Sequence, residues 1–200
     1  IKKGERIGII GKTGSGKTTL TDILMGLLKP SKGIIKIDGI NLYKKNIPEI
    51  LFQWRLAIAH VPQNIYLSDN TIAENIAFGI PMDKIDFSKL EKVSKKAQIF
   101  DFIKSSKNNF LTKVGENGLK LSGGQRQRIG IARALYNDAQ VIFFDEATSA
   151  LDNITEKALI NSLNLLDSNL TIIIVAHRLS TIKNCDRVIK VEDLKLEEVK

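Results

Sequence analysis

Short apolar runs recur along the chain and are separated by stretches with helical spacing. They lie at Arg6–Ile10, Val141–Phe144, Thr171–Val175 and Arg187–Val191. Runs of this length between turn residues predict buried strands. Leucines and isoleucines at helical spacing predict a helix over Lys17–Leu28, after the first strand. Strands that alternate with helices predict an α/β fold in which a mostly parallel sheet is flanked by helices.

Three further elements follow from weaker patterns. Gly33–Asp38 alternates in polarity and predicts a half-exposed strand, followed by a turn at Asp38-Gly39. Leu56–Val61 predicts a strand that ends at Pro62, because proline cannot continue a hydrogen-bonded ladder. Thr155–Leu166 has the spacing of a helix.

The middle of the chain carries helical patterns and loops but little strand signal. Thr71 followed by Glu74 has the spacing of a capping box, which marks the start of a helix. We therefore expect an inserted all-helical lobe over residues 64–128. Residues 1–63 and 129–200 would together form one discontinuous core domain.

Composition and charge narrow the class of protein. The chain has 200 residues, of which 43% are hydrophobic, which excludes a disordered chain. No apolar run approaches the ~18 residues that a membrane helix needs. One cysteine excludes an internal disulfide, and we expect Cys185 to be a buried small apolar residue. The net charge of +8 allows attraction to phosphates, nucleic acid or an anionic membrane, but scattered lysines without interleaved aromatics favour a solvated surface.

The residues after the first strand match the phosphate-loop pattern G-x-x-x-x-G-K-[ST] at every fixed position: Gly11, Lys12, Thr13, Gly14, Ser15, Gly16, Lys17 and Thr18. Glycines let the backbone turn so that several N–H groups point at one anion, and the following helix adds its positive end. Lys17 would reach the β- and γ-phosphates of a nucleotide, Thr18 would ligate magnesium, and Thr19 would donate to the α-phosphate.

Two acidic residues, Asp145 and Glu146, follow the apolar run Val141–Phe144. A buried central strand delivers its carboxyl end to the ligand crevice of an open α/β sheet. There Asp145 would hold magnesium, and Glu146 would polarise the attacking water. The alternative is a solvent-facing turn after a core strand, which the nearby phosphate loop disfavours.

A second glycine pair opens a later helix, in the sequence Leu121, Ser122, Gly123, Gly124 and Gln125. Two glycines at a helix N-terminus form a second anion site, which needs another ligand or the same ligand shared with another copy. This pentapeptide resembles the signature sequence of ATP-binding cassette (ABC) ATPases.

Other residues resemble that family's motifs in the family's order. Gln63 matches the Q-loop glutamine and His177 the switch histidine, and the D-loop is matched by Ser149, Ala150, Leu151 and Asp152. The resemblance implies that Gln63 contacts magnesium and the lytic water, that His177 bonds the γ-phosphate, and that the D-loop serves communication between two copies. Taken alone, Gln63 would be a surface turn residue and His177 a satisfied strand-end histidine.

The segment before the signature resembles the coupling loop of exporter-type ABC transporters. Its matching residues are Val114, Gly115 and Glu116, and Asn117 stands where an arginine is more usual. The interval between Gln63 and Ser122 leaves no room for the long coiled-coil insertion of chromosome-condensation and DNA-repair relatives. The family's N-terminal β-strands, with the aromatic residue that stacks on adenine, are missing from this sequence, which suggests a piece of a longer chain.

The resemblance implies an ATP-hydrolysing motor domain that uses Mg²⁺ and works as a head-to-tail dimer. Each ATP would lie between the phosphate loop of one copy and the signature of the other, and an intact set of motor residues favours a homodimer over a heterodimer. A transmembrane domain N-terminal in the same chain would place it at the cytoplasmic face of a membrane, the bacterial inner membrane, with no nucleic acid as partner. The alternative is a soluble ABC ATPase that acts on ribosomes or DNA.

Overall fold

The structure is a computed structural model that describes residues 1–44, 49–145, 160, 161, 163, 166–176, 178–192 and 195–200. The polypeptide divides into two compact units. The first comprises Ile1–His60, Ala139–Asp145 and Asn169–Lys200, and the second is built on Val61–Asp138. Among the described residues, no helix combines the length and the apolar character needed to cross a membrane.

A mixed, mostly parallel sheet organises the first unit. In the described part of the chain its strands are β1 (Arg6–Ile10), β4 (Ile58–Val61), β5 (Val141–Asp145), β6 (Thr171–Val175), β7 (Arg187–Glu192) and β8 (Lys195–Glu198). Their order is β4-β5-β6-β1-β7-β8. β1 runs parallel to β6 and β7, β5 runs parallel to β6, and β8 pairs antiparallel with β7. The predicted α/β class and parallel sheet are confirmed.

The described helices are α1 (Lys17–Leu24), α2 (Glu49–Ala57), α3 (Ile72–Ile76), α4 (Phe87–Lys96), α5 (Phe100–Ser105), α6 (Gly123–Tyr136) and α7 (Leu179–Ile182). α1, α2 and α7 belong to the first unit. Leu20 and Leu24 of α1 and Trp54 of α2 pack on a sheet core that includes Ile9 and Phe143. This buried support fixes the end of β1, from which the phosphate loop leaves.

The first helix ends four residues before the predicted Leu28. Gly26 adopts φ +72°, which L residues other than glycine rarely do. The N–H groups of Leu27 and Leu28 both donate to the carbonyl of Asp22 and close the helix end. The Trp54 indole N–H donates a hydrogen bond to the Leu24 carbonyl, and the Arg55 guanidinium donates one to the Gly26 carbonyl. The glycine inside the apolar pattern was the overlooked signal.

Two strand predictions hold only in part. Of Gly33–Asp38, only β2 (Lys36–Ile37) pairs, antiparallel to β3 (Ile40–Asn41), across the predicted turn, where Asp38 and Gly39 have φ of 48° and 80°. Of Leu56–Val61, the first two residues belong to α2. β8 was not predicted, because its sequence is charged and exposed and shows no apolar alternation. Most of Thr155–Leu166 lies outside the described residues.

Helices and loops make up the described residues of the second unit after Val61. The capping box at the start of α3 is confirmed, since the Thr71 hydroxyl accepts from the Glu74 N–H and the Glu74 carboxylate accepts from the Thr71 N–H. The spacing of apolar residues over Ser88–Ile103 also predicts a helix, and this prediction holds only in part. α4 ends at Lys96 and α5 starts at Phe100, because Gln98 adopts φ +56° between them.

Candidate functional site

The phosphate loop connects β1 to α1 and has the backbone shape of an anion cradle. Gly14 and Gly16 have φ of 79° and 102°, and α1 starts directly after Gly16. The Lys17 side chain is buried, and its ammonium donates to the carbonyls of Gly11 at 2.9 Å and Lys12 at 3.1 Å. The positive charge is therefore held inside the loop, while Thr18 and Thr19 are exposed at the start of the helix.

Gly11 occupies a place where no side chain fits. A Cβ there would lie 2.3 Å from the carbonyl oxygen of Val191 and 2.6 Å from the Ser15 hydroxyl oxygen. That hydroxyl is buried and has no hydrogen-bond partner among the described residues. A glycine-lined turn with an unpaired buried hydroxyl, an inward ammonium and a helix N-terminus fits the phosphates of a nucleotide.

Strand register places Asp145 at the same end of the parallel strands as this loop. Ile9 of β1 and Asp145 of β5 both pair with Val175 of β6, which lies between them. The two backbone positions are thus two strand spacings apart, roughly 10 Å. A carboxylate at this distance can act on a metal ion bound to phosphates that the loop holds. The sequence predicted the phosphate loop and the aspartate, and the strand order brings them to the same end of the sheet.

His60 is a residue of this region that the sequence reasoning missed. It lies in β4, the strand next to β5. Partial burial of its imidazole lowers its pKa below the ordinary value of 6.5, against the opposing effect of the nearby Asp145 and Asp22 carboxylates. The carboxylate of Asp145, the predicted magnesium ligand, therefore lies near enough to His60 to act on its charge. Only the strand order reveals this neighbourhood, since the two residues are far apart in sequence.

The predicted signature residues form the capped start of α6. The Ser122 hydroxyl accepts from the Gln125 N–H at 3.2 Å, and the Gln125 side-chain oxygen accepts from the Ser122 N–H at 2.8 Å. Leu121 is buried and anchors the turn. This reciprocal cap leaves Gly123 and Gly124 as the first helical residues, whose N–H groups point out of the helix end. The arrangement suits a second anion.

The predicted coupling loop is fixed at Val114 and exposed at Glu116. The Val114 side chain is fully buried, and its N–H donates to the Asn70 carbonyl at 3.0 Å. Gly115 and Asn117 have φ of 77° and 49°. Asparagine tolerates the left-handed conformation better than most residues, which explains its fit at 117. Val114 therefore anchors the loop, and Glu116 is the predicted residue whose side chain can meet a partner.

The remaining predicted residues fall into two groups. Gln63 lies just after β4 in the second unit, and its carbonyl accepts from the Gln127 side chain at 2.8 Å. Glu146, the D-loop residues Ser149, Ala150, Leu151 and Asp152, and His177 lie outside the described residues. Their roles stay predictions.

A glycine phosphate loop between a buried parallel strand and a helix, with an aspartate at the same edge, defines a P-loop nucleotide-binding protein. The sequence model of the ABC transporter family matches residues 1–149 of the chain. The chain therefore belongs to the ABC transporter family.

Individual relatives agree with this assignment. The ATP-dependent lipid A-core flippase of Francisella novicida is 40% identical over 198 residues, which are 99% of this chain and 32% of that protein. The flippase of Vibrio vulnificus strain CMCP6 is 39% identical over 96% of this chain and 32% of its own length. A solved bacterial Atm1-family ABC exporter with ATP bound has a TM-score of 0.86 and 37% identity over 99% of this chain and 34% of its own. The chain thus spans about a third of the length of these relatives.

Proposed function

We propose that this domain hydrolyses ATP to ADP and phosphate and drives an exporter. The observation that carries the proposal is the phosphate loop, whose buried Lys17 ammonium is held at the loop carbonyls. Phosphoryl transfer depends mainly on positioning and charge neutralisation, and a preorganised cation supplies both.

The proposed roles in one copy follow the motif series. Residues 11–19 bind the phosphates, and Thr18, Gln63 and Asp145 would hold Mg²⁺, which would neutralise phosphate charge. Glu146 polarises the attacking water, and His177 bonds the γ-phosphate. The alignment of Asp145 with the end of β1 supports its share in this assignment.

A second copy would complete the site. In the proposed head-to-tail pair, residues 121–125 of one copy close over the nucleotide held by the other, and residues 149–152 connect the two sites. The capped α6 start with two leading glycines supports this, because it offers N–H donors to an anion outside its own chain. A homodimer is proposed, since every motor position is filled.

The membrane partner is proposed from the relatives and from the coupling loop. The named relatives are lipid flippases and an exporter, and the exposed Glu116 lies on a loop anchored by Val114. We propose a transmembrane domain fused N-terminally, with residues 1–63 and 129–200 as catalytic core and 64–128 as the lobe that contacts it. The cassette would then work at the cytoplasmic face of a bacterial inner membrane. These relatives favour this function over that of a soluble ABC ATPase on ribosomes or DNA.

The test is Glu146→Gln in the full-length gene product. We expect turnover to be nearly abolished while ATP–Mg²⁺ stays bound to a closed pair and survives desalting. The matched control is Glu197→Gln, which removes an exposed carboxylate on the edge strand β8 and should keep full turnover. Wild-type turnover in Glu146→Gln would discard the proposed role.

A further inference from the structure

One side of α6 holds the chain segment that follows β4. The three contacting residues are Gln127, Gly130 and Arg133, and this spacing of three keeps them on one side of a helix. They face Gln63, Ile65 and Tyr66 in the same order. The segment that carries the predicted Q-loop glutamine is thus bound along the helix that begins with the signature residues.

The part of this contact at Ile65 and Tyr66 is held by several hydrogen bonds and by close packing. The Arg133 guanidinium donates two bonds of 3.1 Å to the Tyr66 carbonyl and one of 2.8 Å to the Asn75 carbonyl. Gly130 leaves no space between helix and segment, since a Cβ there would lie 2.7 Å from the Cδ1 of Ile65. Residues 65 and 66 are therefore fixed by several contacts.

Gln63 itself is contacted by a side chain of α6. The Gln127 amide nitrogen donates to the Gln63 carbonyl at 2.8 Å, across 64 residues of sequence. Gln127 is only 6% exposed, and its amide oxygen is buried without a partner among the described residues. A buried acceptor without a partner costs more than an apolar side chain of the same shape. Packing alone therefore does not account for glutamine at this position, whereas its donor bond to Gln63 does.

We propose that Gln127 is a positioning residue that holds the backbone of Gln63 and so sets the direction of the Gln63 side chain. The inference rests on the proposed role of Gln63 as a magnesium ligand.

Two variants of the full-length gene product, and their combination, test this. Gln127→Met keeps the length and the packing but removes the donor, and Gln63→Ala removes the side chain that is positioned. We expect Gln127→Met to lower turnover at saturating ATP by about 2- to 12-fold, the worth of one hydrogen bond. The Mg²⁺ concentration for half-maximal rate should rise, while nucleotide affinity in EDTA and the melting temperature stay unchanged.

The double variant separates positioning from general stability. If Gln127 acts through Gln63, Gln127→Met adds no further loss in the Gln63→Ala background. Additive losses, or a Gln127→Met rate equal to wild type, would overturn the inference. A lower melting temperature in Gln127→Met together with an unchanged Mg²⁺ requirement would also overturn it, because the role would then be structural. If Gln63→Ala alone keeps the normal rate and Mg²⁺ requirement, the proposed role of Gln63 fails instead.

Discussion

Two lysines of the phosphate loop offer a direct test of how burial changes the contribution of a charged side chain to nucleotide affinity. Lys17 is 5% exposed and its ammonium lies against the carbonyls of Gly11 and Lys12. The Lys12 side chain is 89% exposed and reaches Glu192 at 3.9 Å. Both lie in one loop of one domain, so replacing either with methionine removes the same charge.

The expected loss of nucleotide affinity is larger for Lys17 than for Lys12, by about twofold at the nearest ends of the two ranges. Hydrogen bonds to a charged group are worth about 1.5–3 kcal/mol, so Lys17→Met should weaken ATP binding by about 12- to 140-fold. The variant also leaves two loop carbonyls without their donor. An exposed ion pair is worth about 0–1 kcal/mol, so Lys12→Met should cost less than about fivefold, and salt should reduce that effect further.

Isothermal titration calorimetry of the full-length gene product with ATP, at low and at high salt, measures both constants. Melting curves of the two variants check that each remains folded. Equal losses for Lys12→Met and Lys17→Met would refute the reasoning, because the buried position would then carry no advantage.

Three further predictions concern stability and reactivity. Thr71→Ala removes the cap of α3 and should cost about 1 kcal/mol in urea unfolding, whereas Thr71→Ser should keep most of the stability. Gly26 has φ +72°, and a Cβ added there would lie 2.7 Å from Leu51 Cδ1, whereas Gly33 has φ +85° and open space around it. Gly26→Ala should therefore lower the free energy of unfolding more than Gly33→Ala does. Equal losses in urea unfolding would contradict this. Burial raises the pKa of the Cys185 thiol from 9.0 to about 11. Maleimide at pH 8 should therefore label the native protein far more slowly than the urea-unfolded one, and stability should fall above pH 9, where the unfolded thiol ionises first.

Local signals in the sequence predicted several parts of the structure in detail. The capping box at Thr71 and the turn at Asp38-Gly39 form as expected, because their hydrogen bonds and backbone angles involve residues within four positions of one another. The errors at the end of α1 and in the break between α4 and α5 have the same local character. Gly26 and Gln98 adopt positive φ inside stretches whose apolar spacing alone predicted continuous helix.

The amino-acid sequence by itself determined the chemical pieces of this nucleotide-binding domain: the phosphate loop, the acidic strand end and the signature pentapeptide. Each is contiguous, so its residue types and spacing carry its chemistry. Only the tertiary structure decided that Ile9 and Asp145 pair with the same residue of β6 and that His60 lies near that aspartate. It also decided that the Gln127 side chain bonds the carbonyl of Gln63. Those relations depend on strand order and on the packing of α6 against a segment 64 positions away. The periodicity of hydrophobic residues within one segment does not encode these relations, because they form only when the buried faces of strands and helices pack against one another.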